Sequence, residues 1–251
     1  MNIHEYQAKE ILAEYGVKIA EGGLAYSVAE AVQRAREIEG NIWVVKAQIH
    51  SGARGKAGGI KICKTHEEVE VAAKELLGKE LVTHQTGPAG KVCSRLYIEA
   101  GTDIAKEIYL SLMIDRTTEG IVLVGSAQGG MEIEAVAESN PDAIEKIYIE
   151  PAVGLRDFQA RKLAFALGLD SSLLNHGVKT IKACYRAFRD LDANILEINP
   201  LVVTKNNELV ALDAKIAFDE NALSRHHKIA ELRDSTQVDH REVAAAEAGL
   251  S

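Results

Sequence analysis

Long hydrophobic runs are missing from this sequence. No segment approaches the roughly 18 uninterrupted apolar residues of a membrane-spanning helix, and the opening MNIHEYQAKEILAEYG lacks the apolar stretch of a signal peptide. Cysteine is scarce: Cys63, Cys93 and Cys184 are far apart, odd in number and without CxxC spacing, which excludes a disulfide framework or structural zinc and fits a reduced, cytoplasmic setting. There is no excess of positive charge either. The chain's 29 Lys and Arg stand against 37 Asp and Glu, a net charge of −8, so a nucleic-acid-binding role has no global electrostatic support. Any phosphate must then be met by locally placed groups. The NTPase spacing GxxxxGK[ST], internal repeats and low-complexity tracts are also absent. These absences together predict a soluble protein that meets neither membrane nor nucleic acid.

What is present is enough chain, 251 residues, for one large domain or two lobes of ordinary size. Two lobes with a cleft is the preferred division: a first lobe over 1–101, a second over 102–220, and a polar tail or linker over 221–251. In the first, an apolar stripe of Ile3, Tyr6, Ile11, Leu12 and Tyr15 predicts a helix that stops near Gly16, with a second helix from Val28 to Ile38. A strand from Ile42 to Ile49, a glycine-rich loop from Ser51 to Gly59 and a strand from Ile60 to Cys63 follow. His66 to Leu77 reads as a helix capped by Thr65, and Leu81 to Gln85 and Val92 to Ala100 as strands.

The second lobe opens with a hairpin, Lys106 to Asp115 and Gly120 to Ala127, and adds a strand near Lys146 to Glu150. Helices from Leu155 to Leu167 and Ser171 to Arg189 come next, with a last helix predicted from Arg241 to Ala248. This order favours a mixed α+β architecture over a parallel doubly wound sheet.

The most informative segments are Ile195–Pro200 and Leu209–Lys215, which read as two strands of one hairpin. Alternation sends Glu197 and Asn199 to one side and Leu196 and Ile198 to the other, so an apolar set enters a core and leaves an oxygen-rich face. Asp213 and Lys215 repeat the arrangement. A three-residue loop centred on Asn206 places Asn199 opposite Asp213 and Glu197 opposite Lys215, whereas a two-residue loop puts Asp213 on the other face unless a bulge corrects it. Carboxylate and amide oxygens so placed suit Mg²⁺, a hard cation that takes few protein ligands and completes its shell with water and phosphates. The competing reading is a surface hairpin with polar decoration, which Pro200 and the apolar neighbours oppose.

Lys46 lies inside an apolar strand, where it needs either an anion or a stem that carries its ammonium to water. The loop that follows offers flexible N–H groups with Arg54 and Lys56, a fit for phosphates as well as for a plain turn. Glu99 and Glu107 flank an inferred hinge, Ala100-Gly101-Thr102-Asp103, where they are placed for adenine or ribose or stand as ordinary solvated carboxylates. The histidines are dispersed, and none is assigned to catalysis or metal.

In order, MNIHEYQAKEIL, WVVKAQIHSGARGKAGGIK, YIEAGTDIAKEIYL, GGMEIE and LEINPLVVTK…LVALDAK resemble the β subunits of the ADP-forming succinate–CoA ligase family, including its malate–CoA ligase relatives, over essentially the whole chain. QTGPAGK and IEPAVGLRDFQAR are nearer to the malate branch. The resemblance implies an ATP-grasp fold, two α+β lobes holding the nucleotide in the cleft between them. It further implies that Lys46 and the backbone of Ala53, Arg54 and Gly55 contact phosphates and that Glu99, Thr102 and Glu107 line the nucleotide pocket. Asn199 and Asp213 would hold Mg²⁺. Glu197, the catalytic residue, would sit beside a phosphorylated histidine delivered by an α subunit that also carries the CoA site.

The implied reaction takes ATP, a dicarboxylate (succinate or malate) and CoA to ADP, phosphate and acyl-CoA. ATP against GTP stays open. Ala53 departs from the glycine of many members, adding strain if its φ is positive. The family's carboxy-terminal flavodoxin-like domain has no counterpart here, so this part alone is expected to bind Mg²⁺–ATP without making the thioester. Two other readings remain: a single-chain ATP-grasp carboxylate ligase and a non-catalytic nucleotide-binding module.

Overall fold

Two helices of this chain begin where a hydroxyl takes one of the first free N–H groups. Ser27 accepts from the Glu30 N–H and Thr65 from the Glu68 N–H, both at 3.2 Å. The computed structural model describes residues 1–83, 85–238 and 241. Its helices are α1 (Glu5–Glu14), α2 (Val28–Glu37), α3 (His66–Leu76), α4 (Ile133–Ser139), α5 (Asp157–Ala166), α6 (Leu174–Asp190) and α7 (His227–Ala230). The first six strands are β1 (Gly22–Ala25), β2 (Trp43–Ala47), β3 (Ile60–Cys63), β4 (Glu80–Leu81), β5 (Lys91–Val92) and β6 (Leu96–Ala100). Six more follow: β7 (Ile104–Asp115), β8 (Gly120–Ser126), β9 (Ile144–Ile149), β10 (Ala193–Thr204), β11 (Leu209–Ala211) and β12 (Ala214–Phe218). The helix expected from Arg241 to Ala248 falls, but for Arg241, outside the described residues.

The chain divides into two units. One comprises Met1–Ala20 with Thr102–His226. Its sheet runs β11-β10-β7-β8-β9, with β12 also paired to β10, and every pairing is antiparallel. Leu110 and Leu112 of β7, Leu123 of β8, and Leu196 and Ile198 of β10 are fully buried on one face, where α5 packs on β8, α6 on β7 and β10, and α1 on β12. The opposite face carries Tyr109, Val122 and Val124, with Met113, Ile133 and Ile144 packed against them.

The other unit comprises Glu21–Gly101 and the described residues from His227 onward. Its antiparallel sheet, β1-β6-β2-β3, shares a core with α2 and α3 built on Ala31, Ala35, Val45, Val69, Ala73, Leu76 and Ile98.

The two units meet in sequence at Gly101 and Thr102, and both chain ends differ from expectation. The first lobe was expected to run unbroken over 1–101, yet Met1–Ala20 belong with the later residues. Asn2 bridges Ala217, Ile19 bridges Ala211 and α1 packs on β12, so the amino terminus is bound by backbone pairing as well as by its apolar stripe. The segment from 221 is not simply a tail. Asp234 and Gln237 are buried; Arg95 meets Asp234 at 2.6 Å, and the Gln237 side chain accepts the His50 N–H at 3.2 Å. The strand expected from Val92 to Ala100 is broken after Val92, because β5 pairs with β4 and β6 with β1 and β2.

Candidate functional site

The hairpin of β10 and β11 turns through Lys205-Asn206-Asn207. Thr204 N–H donates to Glu208 O and Asn207 N–H to Thr204 O, both at 2.9 Å, and Asn207 has φ 60°, a left-handed conformation asparagine tolerates. That three-residue loop sets the register. Glu197 pairs with Lys215, and Asn199 N–H donates to Asp213 O at 3.1 Å. On its other edge β10 shifts against β7 between Ile198 and Leu201, so the cis-linked Asn199–Pro200 dipeptide bulges out of the ladder. Asp213 lies in the matching gap between β11 and β12.

Asn199 is already engaged at both ends of its amide: Oδ1 accepts the Gly130 N–H at 2.8 Å, and Nδ2 donates to Met131 O at 2.9 Å. A Cβ on Gly129 would lie 2.4 Å from the Ile108 carbonyl carbon, and one on Gly130 would lie 2.2 Å from a carboxylate oxygen of Glu107. Backbone leaves no room for a side chain at Gly129, and at Gly130, where the Glu107 carboxylate can swing aside, the φ of +72° favours glycine. The segment thereby brings Glu107 and Asn199 to the same loop.

Burial pushes the Glu197 carboxyl up from its ordinary value. Asp213 and Glu134 add to the rise, while Lys215 and a hydrogen bond from Asn199 oppose it. Burial, with Glu197 nearby, also raises the Tyr109 phenol. Among the described residues no group of three or more His, Cys, Asp or Glu is placed to hold a metal. An amide oxygen and a carboxylate on adjoining strands, both half-buried, nevertheless fit a hard cation whose remaining ligands are water and phosphate. Asn199 and Asp213 would hold it.

In the other unit, Lys46 and Glu99 form a buried ion pair of 2.5 Å, 6% and 1% exposed. β2 and β6 place them one pair apart, with Val44 opposite Glu99 and Lys46 opposite Tyr97. Lys46 therefore meets an anion from its own unit, and neither a snorkelling lysine nor a solvated Glu99 describes them. Glu107 is exposed and Thr102 half-buried, both in the unit of the β10–β11 hairpin.

The glycine-rich loop folds on itself, with Gly59 N–H donating to Arg54 O at 2.8 Å and Gly58 N–H to Gly55 O at 3.1 Å. Arg54 is buried, its guanidinium donating to Ala47 O at 2.8 Å, so its side chain staples the loop to β2. The backbone is what remains for an anion: among the described residues the N–H groups of Ala53 and Gly55 make no hydrogen bond. Ala53 has φ 58°, the strained case foreseen for an alanine here.

Within one unit the structure thus brings together Glu197, Asn199, Asp213 and, through Gly130, Glu107; within the other it brings together Lys46, Glu99 and the loop of Ala53, Arg54 and Gly55. Sequence reasoning missed Ser111, fully buried and opposite Glu197, and Tyr109 two residues before it. Their signal is a hydroxyl at alternate positions of an otherwise apolar strand. It also missed the part played by Gly129 and Gly130.

A family model described as an ATP-grasp domain matches residues 2–203. Over all 251 residues the chain is 57% identical to the probable malate–CoA ligase subunit beta of Mesorhizobium japonicum, covering 64% of that protein. It is 55% identical, also over its full length, to the succinate–CoA ligase [ADP-forming] subunit beta of Geobacillus kaustophilus, covering 65% of it. The chain therefore spans a little under two thirds of these relatives.

Among solved structures, the ATP citrate lyase of Methanothrix soehngenii in complex with citrate and coenzyme A aligns with TM-score 0.68 at 21% identity, over 90% of this chain and 53% of that one. A dinucleotide-forming acetyl-coenzyme A synthetase of Ca. Korarchaeum cryptofilum, in complex with coenzyme A and Ca-AMPCP, aligns with TM-score 0.65 at 20% identity, over 87% and 93%. These likenesses bear on fold alone. With two antiparallel α+β units, one holding a closed glycine-rich loop and the other a paired Asn–Asp hairpin, and with the family model spanning both, the chain belongs to the ATP-grasp domain family.

Proposed function

We propose that this chain is the nucleotide-binding part of an acid–CoA ligase β subunit. Such a ligase converts ATP, a dicarboxylate (succinate or malate) and CoA to ADP, phosphate and acyl-CoA through a phosphohistidine on an α subunit. The observation that carries the reading is the register of β10, which pairs Asn199 with Asp213 and sets Glu197 beside them. Identity of 57% to a malate–CoA ligase β subunit over the whole chain supports the reaction class. Three buried free thiols support a reducing compartment such as the cytoplasm.

Phosphoryl transfer depends mainly on alignment and on charges that meet the transferring group. Lys46 and the Ala53 and Gly55 N–H groups would bind triphosphate oxygens; Glu99 would hold Lys46 in place, and Thr102 and Glu107 would contact the nucleoside. When bound at Asn199 and Asp213, Mg²⁺ would supply charge neutralisation on the phosphates. Glu197 would accept a hydrogen bond from one nitrogen of the partner's imidazole and leave the other to take the phosphoryl group. No nucleophile is needed in this chain.

The test is transfer of labelled γ-phosphate from ATP or GTP to the histidine of a cognate α subunit, with the longer β chain and with these 251 residues. Label on the α histidine, lost with Asp213→Ala and with Glu197→Gln, is the expected result. Acyl-CoA turnover by this chain alone would replace the reading with a single-chain ligase. Nucleotide binding that is indifferent to Asp213→Ala, with no label transferred, would leave a non-catalytic module.

A further inference from the structure

The amino-terminal helix carries a charge that its packing role does not need. Lys9 has no exposed surface, and burying an ammonium is strongly unfavourable unless it is received by an anion or by carbonyl oxygens. Its Nζ donates to Leu212 O at 3.2 Å and lies 3.8 Å from a carboxylate oxygen of Glu5, which is also buried. Leu212 is where the return strand is interrupted: β11 ends at Ala211 and β12 begins at Ala214, leaving Leu212 and Asp213 in the gap.

The interruption is held at three points. Leu212 N–H donates to Pro200 O and Asp213 O accepts the Asn199 N–H, both at 3.1 Å, and Leu212 O receives Lys9. That third hold orients the peptide joining Leu212 to Asp213, because its carbonyl belongs to the same rigid plane as the Asp213 nitrogen. The direction in which Asp213 leaves the backbone then depends on α1.

The geometry points to Lys9 as a positioning residue for Asp213, a buried cation that holds the peptide from which the carboxylate leaves the backbone. The assignment rests on Asp213 being a Mg²⁺ ligand. Its test uses the 251-residue chain with two variants, Lys9→Met and Glu5→Gln/Lys9→Met, the second so that Glu5 is not left a stranded charge. Mn²⁺ affinity is read by electron paramagnetic resonance with a non-hydrolysable ATP analogue, and the affinity for metal-free analogue is read separately. Both are taken well below each variant's unfolding midpoint.

Mn²⁺ affinity is expected to fall about 10–100-fold, the usual range for a lost outer partner, with metal-free affinity within about twofold of wild type. Wild-type Mn²⁺ affinity in either folded variant overturns the assignment and leaves Lys9 a packing residue; if Lys9→Met does not fold, the double variant decides. Asp213→Ala measured alongside separates the two levels. Should it keep wild-type Mn²⁺ affinity, the metal-hairpin reading itself fails; should it alone lose affinity, only the role of Lys9 does.

Discussion

In the unit built on Glu21–Gly101 the deepest charges arrive already paired, Lys46 against Glu99 at 2.5 Å with almost no exposure. In the unit that holds Thr102–His226, Lys9 and Glu5 are also buried together, but at the hairpin burial raises the Glu197 carboxyl, and Asp213 and Glu134 add to the rise against the opposing Lys215. A buried pair of opposite sign is bound up with its fold, because removing one member strands the other. Like charges on a sheet face are a standing cost, relieved by a cation, a proton or a neutral substitution. The same kind of change should therefore act with opposite sign in the two units.

The largest effect is expected at the paired site. Glu99→Gln should destabilise its unit by about 3–5 kcal/mol, the usual result of breaking one side of a buried pair, and Glu99→Gln/Lys46→Met by clearly less. Urea unfolding followed at Trp43, which lies in the same core, reads it directly. A loss below about 1 kcal/mol would put the pair in the class of exposed ion pairs and remove the contrast.

Gly130→Ala comes next, in the other unit. Its φ of +72° predicts destabilisation of about 1–2 kcal/mol from left-handed strain, the exposed Glu107 carboxylate 2.2 Å from the added Cβ being free to swing aside. The hydrogen bond from Gly130 to Asn199 would loosen with it. An unchanged melting temperature would mean that the segment yields freely and does not anchor Asn199.

How far these features could be read in advance differs from residue to residue. The register of Asn199 against Asp213 was legible up to a choice between two loop lengths, because strand alternation and the loop decide it locally; the three-residue loop decides it. That Glu99 neutralises Lys46 was not, since the pairing of β2 with β6 joins segments about fifty residues apart and no local spacing records it. The stripe of α1 announced a buried face but not the strand that would cover it, and polar composition concealed Asp234 and Gln237, which are buried through specific hydrogen bonds. Asn199 was legible as an oxygen donor; its hold on Gly130 and Met131 depends on a bulge the sequence does not announce.

At Glu197 the comparison takes its reversed sign. A carboxyl whose folded value is raised binds its proton more tightly in the native state, so its contribution is most favourable below the ordinary glutamate value of 4.5 and is lost as pH rises through the folded value. Glu197→Gln should therefore stabilise its unit at neutral pH by about 1–2 kcal/mol, even as the proposed function expects it to lose phosphotransfer. Against wild type that advantage should shrink to nothing in acid. Urea midpoints from pH 4 to pH 8 give the result, and a constant difference across that range would show that an ionised Glu197 is not what burdens this face.

The smallest effect returns to the glycine-rich loop, where the strain is in the backbone rather than in charge. Ala53 holds φ 58°, a conformation that costs an L-residue about 1–2 kcal/mol and glycine almost nothing. Ala53→Gly relieves that strain but enlarges the freedom of the unfolded chain, which returns part of the gain. The net expectation is stabilisation of about 0.5–1 kcal/mol, read as a small rise in the urea midpoint. Because the Ala53 N–H remains in either variant, nucleotide affinity should hardly change. A loss of affinity without a loss of stability would mean that the methyl group, by narrowing the loop's conformations, helps to present its N–H groups to phosphate, and that strain in this unit serves binding.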